Sequence, residues 1–187
     1  MSKMPEPTSP MDSATTVLEN RGLKIFTSEH DEMVIGFELP NKYGRPLPAT
    51  ITFDLELALV EVQVLVLEKM VLPYSMEYEL LRLFNLVKDE APGVVFALND
   101  DAEDDEHFIN VTVTHLVVPD IDSEPFIARM LEYLEAVLVA SLPSLYTFLT
   151  QRLIHRVSAD GEWKGCRVSL TADECFAMAK FGKFGTA

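Results

Sequence analysis

The segment ATITFDLELALVEVQVLVLEKMVLP, residues 49–73, restricts the fold more than any other part of the chain. Its apolar and polar residues alternate with a period of two, which is the pattern of a half-buried β-strand. It is far longer than a mean strand of about five or six residues. No glycine, asparagine or proline interrupts it before its last residue. We therefore expect a sheet with an unusually long strand.

The apolar face of this segment changes phase half-way along. The apolar residues are odd-numbered from Ile51 to Leu59, whereas the second half places Val62, Val64 and Val66 at even positions. A period-two pattern cannot change face without an extra residue. The sequence therefore predicts one long strand with a bulge or sharp bend near residues 58–60.

Strand and helix patterns alternate along the rest of the chain. Pro143 predicts a kink or break in the last helix, because proline removes one backbone hydrogen bond. The element order is α-β-β-β-α-β-β-α, which favours an α+β fold with a twisted antiparallel sheet and helices packed on one side. The segments, in order, are a helix in MDSATTVLEN capped by Asp12 or Ser13, strands in LKIFT and MVIGFEL, the long strand, a helix in SMEYELLRLFNLVKDE capped by Ser75, strands in GVVFALN and HFINVTVTHLVV, and a helix beginning at Asp122 or Ser123.

The chain divides into one domain and two terminal segments. Residues 1–11 are rich in proline and serine and are expected to be disordered. Residues 12–156 form the domain, and residues 157–187 form a small C-terminal extension. Within this extension we expect a short strand in EWKGCRVSL and a short helix in TADECFAMAKF.

The net charge of the chain indicates which classes of partner it can bind. The net charge is −15. Residues 1–150 hold 9 basic and 26 acidic residues, whereas residues 151–187 hold 6 and 4, so an acidic body carries a mildly basic tail. An acidic surface repels nucleic acid and anionic lipid and attracts basic proteins. With no secretory leader or membrane-length apolar run, the expected location is the cytoplasm.

No motif for catalysis or for a cofactor stands out, so we predict no catalytic residue, no cofactor and no metal. The four histidines lie in different predicted elements, and Cys166 and Cys175 match no zinc or redox spacing. The acidic stretch 100–106 lacks the glycine and the spacing of a calcium loop. It is interpreted as a solvated hairpin loop, with weak ion binding or contact with a basic partner as alternatives.

The long strand carries apolar residues on both faces of its second half, and this surplus predicts an interface. The commonest interface of this kind is a twofold homodimer. The alternative is that the C-terminal tail covers the strand. The predicted dimer or client interface consists of Val34, Phe37, Val60, Val62, Val64, Leu65, Val66, Leu67, Leu80 and Phe84.

With this element order, the chain resembles the YbjN family of bacterial proteins, whose fold is related to that of the acidic dimeric chaperones of type III secretion. The resemblance covers about residues 12–155 and includes ELLRLFNLV and PFIARMLEYLEAVLVASLPSLYTFL. It implies a non-enzymatic protein that dimerises and binds other proteins, often as an extended segment along its sheet. Such strand addition would use backbone edges on MVIGFEL and on the long strand.

The leading hypothesis is therefore a cytoplasmic, homodimeric, chaperone-like module that is not an enzyme. Its clients are predicted to be basic proteins, which could include a DNA-binding protein reached through protein contacts. Direct binding to nucleic acid or membrane is not expected from the acidic body. The alternatives are a ligand-responsive regulatory domain and direct single-strand binding through the aromatic, basic tail.

Overall fold

The computed structural model describes residues 9–71, 74–101, 106–116, 123–160 and 167–168. No helix in these ranges is long and apolar enough to cross a membrane. The helices are α1 (Pro10–Asn20), α2 (Tyr74–Glu90) and α3 (Glu124–Asp160). The strands are β1 (Lys24–Glu29), β2 (Val34–Leu39), β3 (Leu47–Asp54), β4 (Leu59–Val71), β5 (Val94–Asp101), β6 (Glu106–Leu116) and β7 (Arg167–Val168).

The strands form one antiparallel sheet in the order β1-β2-β3-β4-β6-β5. The two-residue strand β7 pairs with the end of β4, at Met70 and Val71. The predicted α+β fold with an antiparallel sheet is confirmed. The strand predicted in the C-terminal extension is confirmed at β7, and the helix predicted after it lies outside the described residues.

The long alternating segment is a hairpin of two strands, and the prediction of one bent strand is wrong. Asp54 at the end of β3 pairs with Leu59 at the start of β4 across a four-residue loop, 55–58. The Asp54 carboxylate accepts a hydrogen bond of 2.9 Å from the Leu57 N–H, and Ala58 has a left-handed φ of 51°. Four strands therefore precede α2, one more than predicted.

A true β-bulge lies further along, within β4. Leu65 pairs with Asn110 and Leu67 pairs with Ile109, so Val66 is the extra residue. Because a bulge changes which face the following residues occupy, both Val66 and Leu67 are buried, with exposures of 3% and 1%. The bulge explains why this part of the strand has no polar face.

The three helices cover one face of the sheet, and the core lies between them. The inward face of the sheet is apolar, and the core extends into α1, α2 and α3. Helix α1 contacts β1, β2, β3 and α3, while α2 packs beside β5. The strand residues at the centre of this core are Ile35, Phe37, Leu39, Ile51, Val60, Val62, Val64, Ile109 and Val111, all with exposures of 0%.

The N-cap of helix α1 lies three residues before Asp12, the earlier of its two predicted caps. Ser9 is the N-cap, since its hydroxyl accepts from the Asp12 N–H at 3.1 Å, and Pro10 occupies the first turn. The predicted caps Asp12 and Ser13 therefore lie inside the helix. Likewise, Ser75 lies inside α2, which begins at Tyr74. At α3 the predicted Ser123 caps the helix, because its carbonyl accepts from the Ile127 N–H at 2.9 Å.

Helix α3 continues through Pro143, so the predicted break does not occur. Proline at this position cannot donate to the carbonyl four residues earlier, which belongs to Val139. The Tyr43 hydroxyl donates to that carbonyl at 2.7 Å. Tyr43, in the loop between β2 and β3, is 7% exposed and replaces the missing helical hydrogen bond. Thus a side chain from another element satisfies the carbonyl that proline leaves without a helical partner.

Candidate functional site

Most of the residues predicted for an interface lie in the core of the single chain. The helices already cover them, so the surplus apolar surface that motivated the prediction is absent at these positions. Burial within one chain explains their apolar character without a second subunit. These residues, with exposures of 0–5%, are Phe37, Val60, Val62, Val64, Val66, Leu67, Leu80 and Phe84.

Val34 and Leu65 remain on the open face of the sheet, where both are partly exposed. This face is polar along its central row, in which Thr50, Gln63 and Thr112 are neighbours and Gly36 pairs with Thr50. Apolar side chains flank that row, and Phe26 and Val95 are 54% and 50% exposed. Of the ten predicted residues, these two alone have side chains that a partner could contact.

Strand addition along β2 would require an edge that β2 does not have. It lies between β1 and β3, while residues 59–64 of β4 lie between β3 and β6. The edge strands are β1 and β5. The expectation of backbone edges on MVIGFEL and on the first part of β4 is therefore wrong, because both segments are inside the sheet.

An open groove between α2 and α3 is lined mainly by apolar side chains. Its volume is about 400 Å³. Leu86 on its α2 wall is 65% exposed, although it is large and apolar. The lining residues, which we call the α2–α3 groove, are Leu83, Leu86, Val87, Glu90, Ala91, Ala136, Val137, Ala140, Ser141 and Ser144.

The groove is open because α3 presents small residues where it passes α2. Ala136, Ala140 and Ser144 recur every four residues, so they form one row along the helix. Ser141 contributes little polarity to the floor, since its hydroxyl donates to the Val137 carbonyl at 2.7 Å. A row without large side chains leaves room for side chains from another element.

Acidic residues predominate on the two helices that form the groove. The two helices, residues 74–90 and 124–160, together contain eight acidic and five basic residues. Glu90 itself lines the groove and is exposed. An apolar groove on acidic helices has the form that accepts the apolar face of a helix whose opposite face is basic.

A second cleft, of about 420 Å³, lies between α1, α3 and the β2–β3 loop. Its main polar groups are engaged within the chain. Arg21 binds Glu135 at 2.7 Å, and the Tyr43 hydroxyl donates to α3. These contacts join elements of the fold, so the cleft offers no converging polar groups for a ligand.

His107 on β6 lies between two carboxylates. Its Nε2 is 3.4 Å from Glu77 on α2 and 3.3 Å from Asp100 on β5. Within the described ranges, no group of three or more metal-binding side chains has the arrangement of a metal site. The acidic loop 102–105 lies outside the described residues. The contact joins the start of α2 to the β5–β6 hairpin.

Sequence reasoning missed the α2–α3 groove because its signal is an absence of bulk. The sequence predicts the helix α3, whereas the small residues along it carry no motif. The spacing of Ala136, Ala140 and Ser144 by four is visible in the sequence. Which helix faces this row depends on tertiary packing.

Comparison with known proteins identifies a solved structure with a similar fold. No protein-family profile and no curated protein matches the chain. Among solved structures, the chain is similar to YbjN of E. coli, a candidate transcription regulator, with a TM-score of 0.51 and 16% sequence identity. The match covers 72% of this chain and 93% of the YbjN chain.

The chain has a YbjN-like fold. The resemblance inferred from the element order is thereby confirmed for the architecture of helices and sheet. At 16% identity the likeness to YbjN concerns the fold, so function must be argued from the surfaces of this chain.

Proposed function

We propose that this chain is a non-enzymatic, homodimeric protein-binding module that accepts basic client proteins. The observation that carries the proposal is the α2–α3 groove, in which a large exposed leucine faces a row of small residues. Amphipathic helices bind grooves of this kind through side chains spaced by three or four residues. The proposed client element is a helix with an apolar face and a basic face.

The acidity of the chain supports the basic character of the client. With a net charge of −15, the protein attracts basic segments over distances comparable to the Debye length. Complementary charge raises the association rate and disfavours acidic competitors. A client that binds DNA would present such basic segments, and the module would reach it through protein contacts.

A homodimer is the second part of the proposal, and the open face of the sheet supports it. Phe26, Val34, Leu65 and Val95 lie on this face, and helices cover the opposite one. Packing against a second copy would cover these apolar side chains, as sheets do in a β-sandwich. This contact leaves the α2–α3 groove accessible in each copy.

Titration of a labelled helical peptide tests the client site. The probe is a designed peptide with leucines on one face and lysines on the other, followed by fluorescence anisotropy. We expect Leu86→Gln and Ala140→Leu each to weaken binding by about tenfold, by removing an apolar contact and by filling the groove. Leu81→Gln is the matched control, because Leu81 is 46% exposed on α2 and does not line the groove.

Two comparisons decide the outcome of this titration. Affinity for the basic peptide should fall as ionic strength rises from about 50 mM to about 300 mM, and an acidic counterpart with the same leucines should bind more weakly. The proposal fails if Leu86→Gln and Ala140→Leu bind the peptide as tightly as the unmodified protein does.

A further inference from the structure

One end of the sheet combines exposed leucines with a one-sided set of charges. The β1–β2 loop (residues 30–33), the β3–β4 loop (residues 55–58) and the last residue of β6, Leu116, lie there. We call this region the loop end of the sheet. The two loops are adjacent, because the Phe53 N–H donates to the Met33 carbonyl at 3.0 Å. Leu116 joins them through its pairing with Leu59.

The loop end of the sheet exposes three large apolar side chains. Leu55, Leu57 and Leu116 are 65%, 64% and 62% exposed. Leu59 is next to them, paired with Leu116 and partly buried. Single exposed leucines are ordinary on protein surfaces, whereas a contiguous group rimmed by polar residues marks an interaction site.

The leucines of the β3–β4 loop are held in a defined position. The Asp54 carboxylate accepts from the Leu57 N–H at 2.9 Å, and Ala58 closes the loop in the left-handed conformation. The β1–β2 loop has the same length, with Met33 in the left-handed conformation at its last position. Loops that are ordered before binding lose less conformational entropy when they contact a partner.

In the described segments that form this end of the sheet, every charged residue other than histidine is acidic. Residues 29–34, 52–61 and 113–116 contain six acidic residues and neither lysine nor arginine. Asp31, Glu32 and Asp54 are exposed, and so is Glu56. These four carboxylates take part in no ion pair with another described residue.

We infer that the loop end of the sheet is a second docking surface, whose occupant is a segment of a partner protein in which lysine or arginine alternates with leucine-sized apolar residues. Charge complementarity selects this occupant. A second copy of the chain would bring the same carboxylates into contact, and like charges at an interface oppose binding. Nucleic acids and anionic membranes are excluded by the same repulsion.

This surface shares no residue with the α2–α3 groove. The two docking assignments can therefore be tested independently. A client could contact both, but neither assignment requires the other.

Binding of a short labelled peptide of alternating lysine and leucine, too short to form a stable helix, tests the inference on the full chain. We expect Leu57→Ser to weaken binding by about tenfold, since the apolar contact that Leu57 makes with the bound peptide is lost. Glu56→Gln and Glu32→Gln should each weaken it by about twofold, with a smaller effect at high salt. Leu81→Ser on α2 is the matched control, because Leu81 is 46% exposed and belongs to neither docking surface, and it should leave the affinity unchanged.

Three results would overturn the inference. One is unchanged affinity of Leu57→Ser and Leu55→Ser. The second is equal binding of a peptide in which glutamate replaces every lysine. The third is Leu57-dependent binding of a synthetic peptide with the sequence of residues 171–187, because that result would assign the surface to the tail of this chain rather than to a partner.

Discussion

At the scale of single residues, the two left-handed loop positions show how this sheet makes tight turns without glycine. Met33 and Ala58 each close a four-residue hairpin loop with φ values of 54° and 51°. A side chain with a Cβ atom is disfavoured in this conformation by about 1–2 kcal/mol. The registers of β1 with β2 and of β3 with β4 hold both residues there.

Replacing Ala58 by glycine should stabilise the protein. Glycine adopts a positive φ without steric cost, although it loses more backbone entropy on folding. We expect Ala58→Gly to raise the free energy of unfolding by about 0.5–1 kcal/mol, measured by urea denaturation. Ala140→Gly, in an exposed helical position, is the control and should lower it by about 1 kcal/mol. A loss of stability in Ala58→Gly would contradict this explanation of the loop.

At the scale of elements, Tyr43 and Pro143 act as a pair. Proline deprives the Val139 carbonyl of its helical donor, and the Tyr43 hydroxyl provides another at 2.7 Å. The β2–β3 loop is thereby fastened to the middle of α3. Arg21, at the end of α1, adds a second link to α3 through Glu135.

A double-mutant cycle tests this pairing. Tyr43→Phe should lower the free energy of unfolding by about 1 kcal/mol, because the partly buried hydrogen bond to the Val139 carbonyl is lost. In a Pro143→Ala background the backbone N–H returns, and the same Tyr43→Phe change should cost much less. Tyr133→Phe, at a more exposed tyrosine that donates to the Pro92 carbonyl at 3.0 Å, is the control. Equal costs in both backgrounds would rule out the compensation.

Some of the helices and strands can be predicted from the sequence, and others cannot. Helices α1, α2 and α3 and the β5–β6 hairpin follow from periodicity, because each is a local pattern, whereas only α3 begins at a predicted cap. The β3–β4 hairpin was missed because its loop, 55–58, has no glycine, asparagine or proline and continues the alternation of the strands. The turn is held by the hydrogen bond from the Leu57 N–H to the Asp54 carboxylate and by the pairing of β3 with β4, and the periodic pattern of the sequence shows neither contact.

The candidate site was less accessible to sequence reasoning than the fold. Val60 and Val62 were predicted to be surplus apolar surface, but helices from distant parts of the chain cover them. The α2–α3 groove has the same origin, because Leu86 and Ala140 are brought together by tertiary packing. Burial of individual residues therefore could not be assigned before the packing of the helices was known.

At the scale of the whole molecule, the proposed homodimer has a simple test. Light scattering at micromolar concentration should give twice the chain mass of 21.0 kDa. Val95→Lys should shift the protein toward the monomer, because it places a charge on the open face of the sheet. Leu86→Lys is the matched control on the helical side and should remain dimeric. A stable monomer mass for the unmodified protein would remove the dimer from the proposal.

The central claim is that the helical side of the molecule binds a basic amphipathic helix in the α2–α3 groove. Hydrogen exchange, measured with and without the designed leucine–lysine helical peptide, tests it most directly. We expect slower exchange of backbone amides in residues 83–91 and 136–144, since a bound helix limits local opening of both walls. Exchange in these two ranges that stays unchanged while the peptide is bound would contradict the claim.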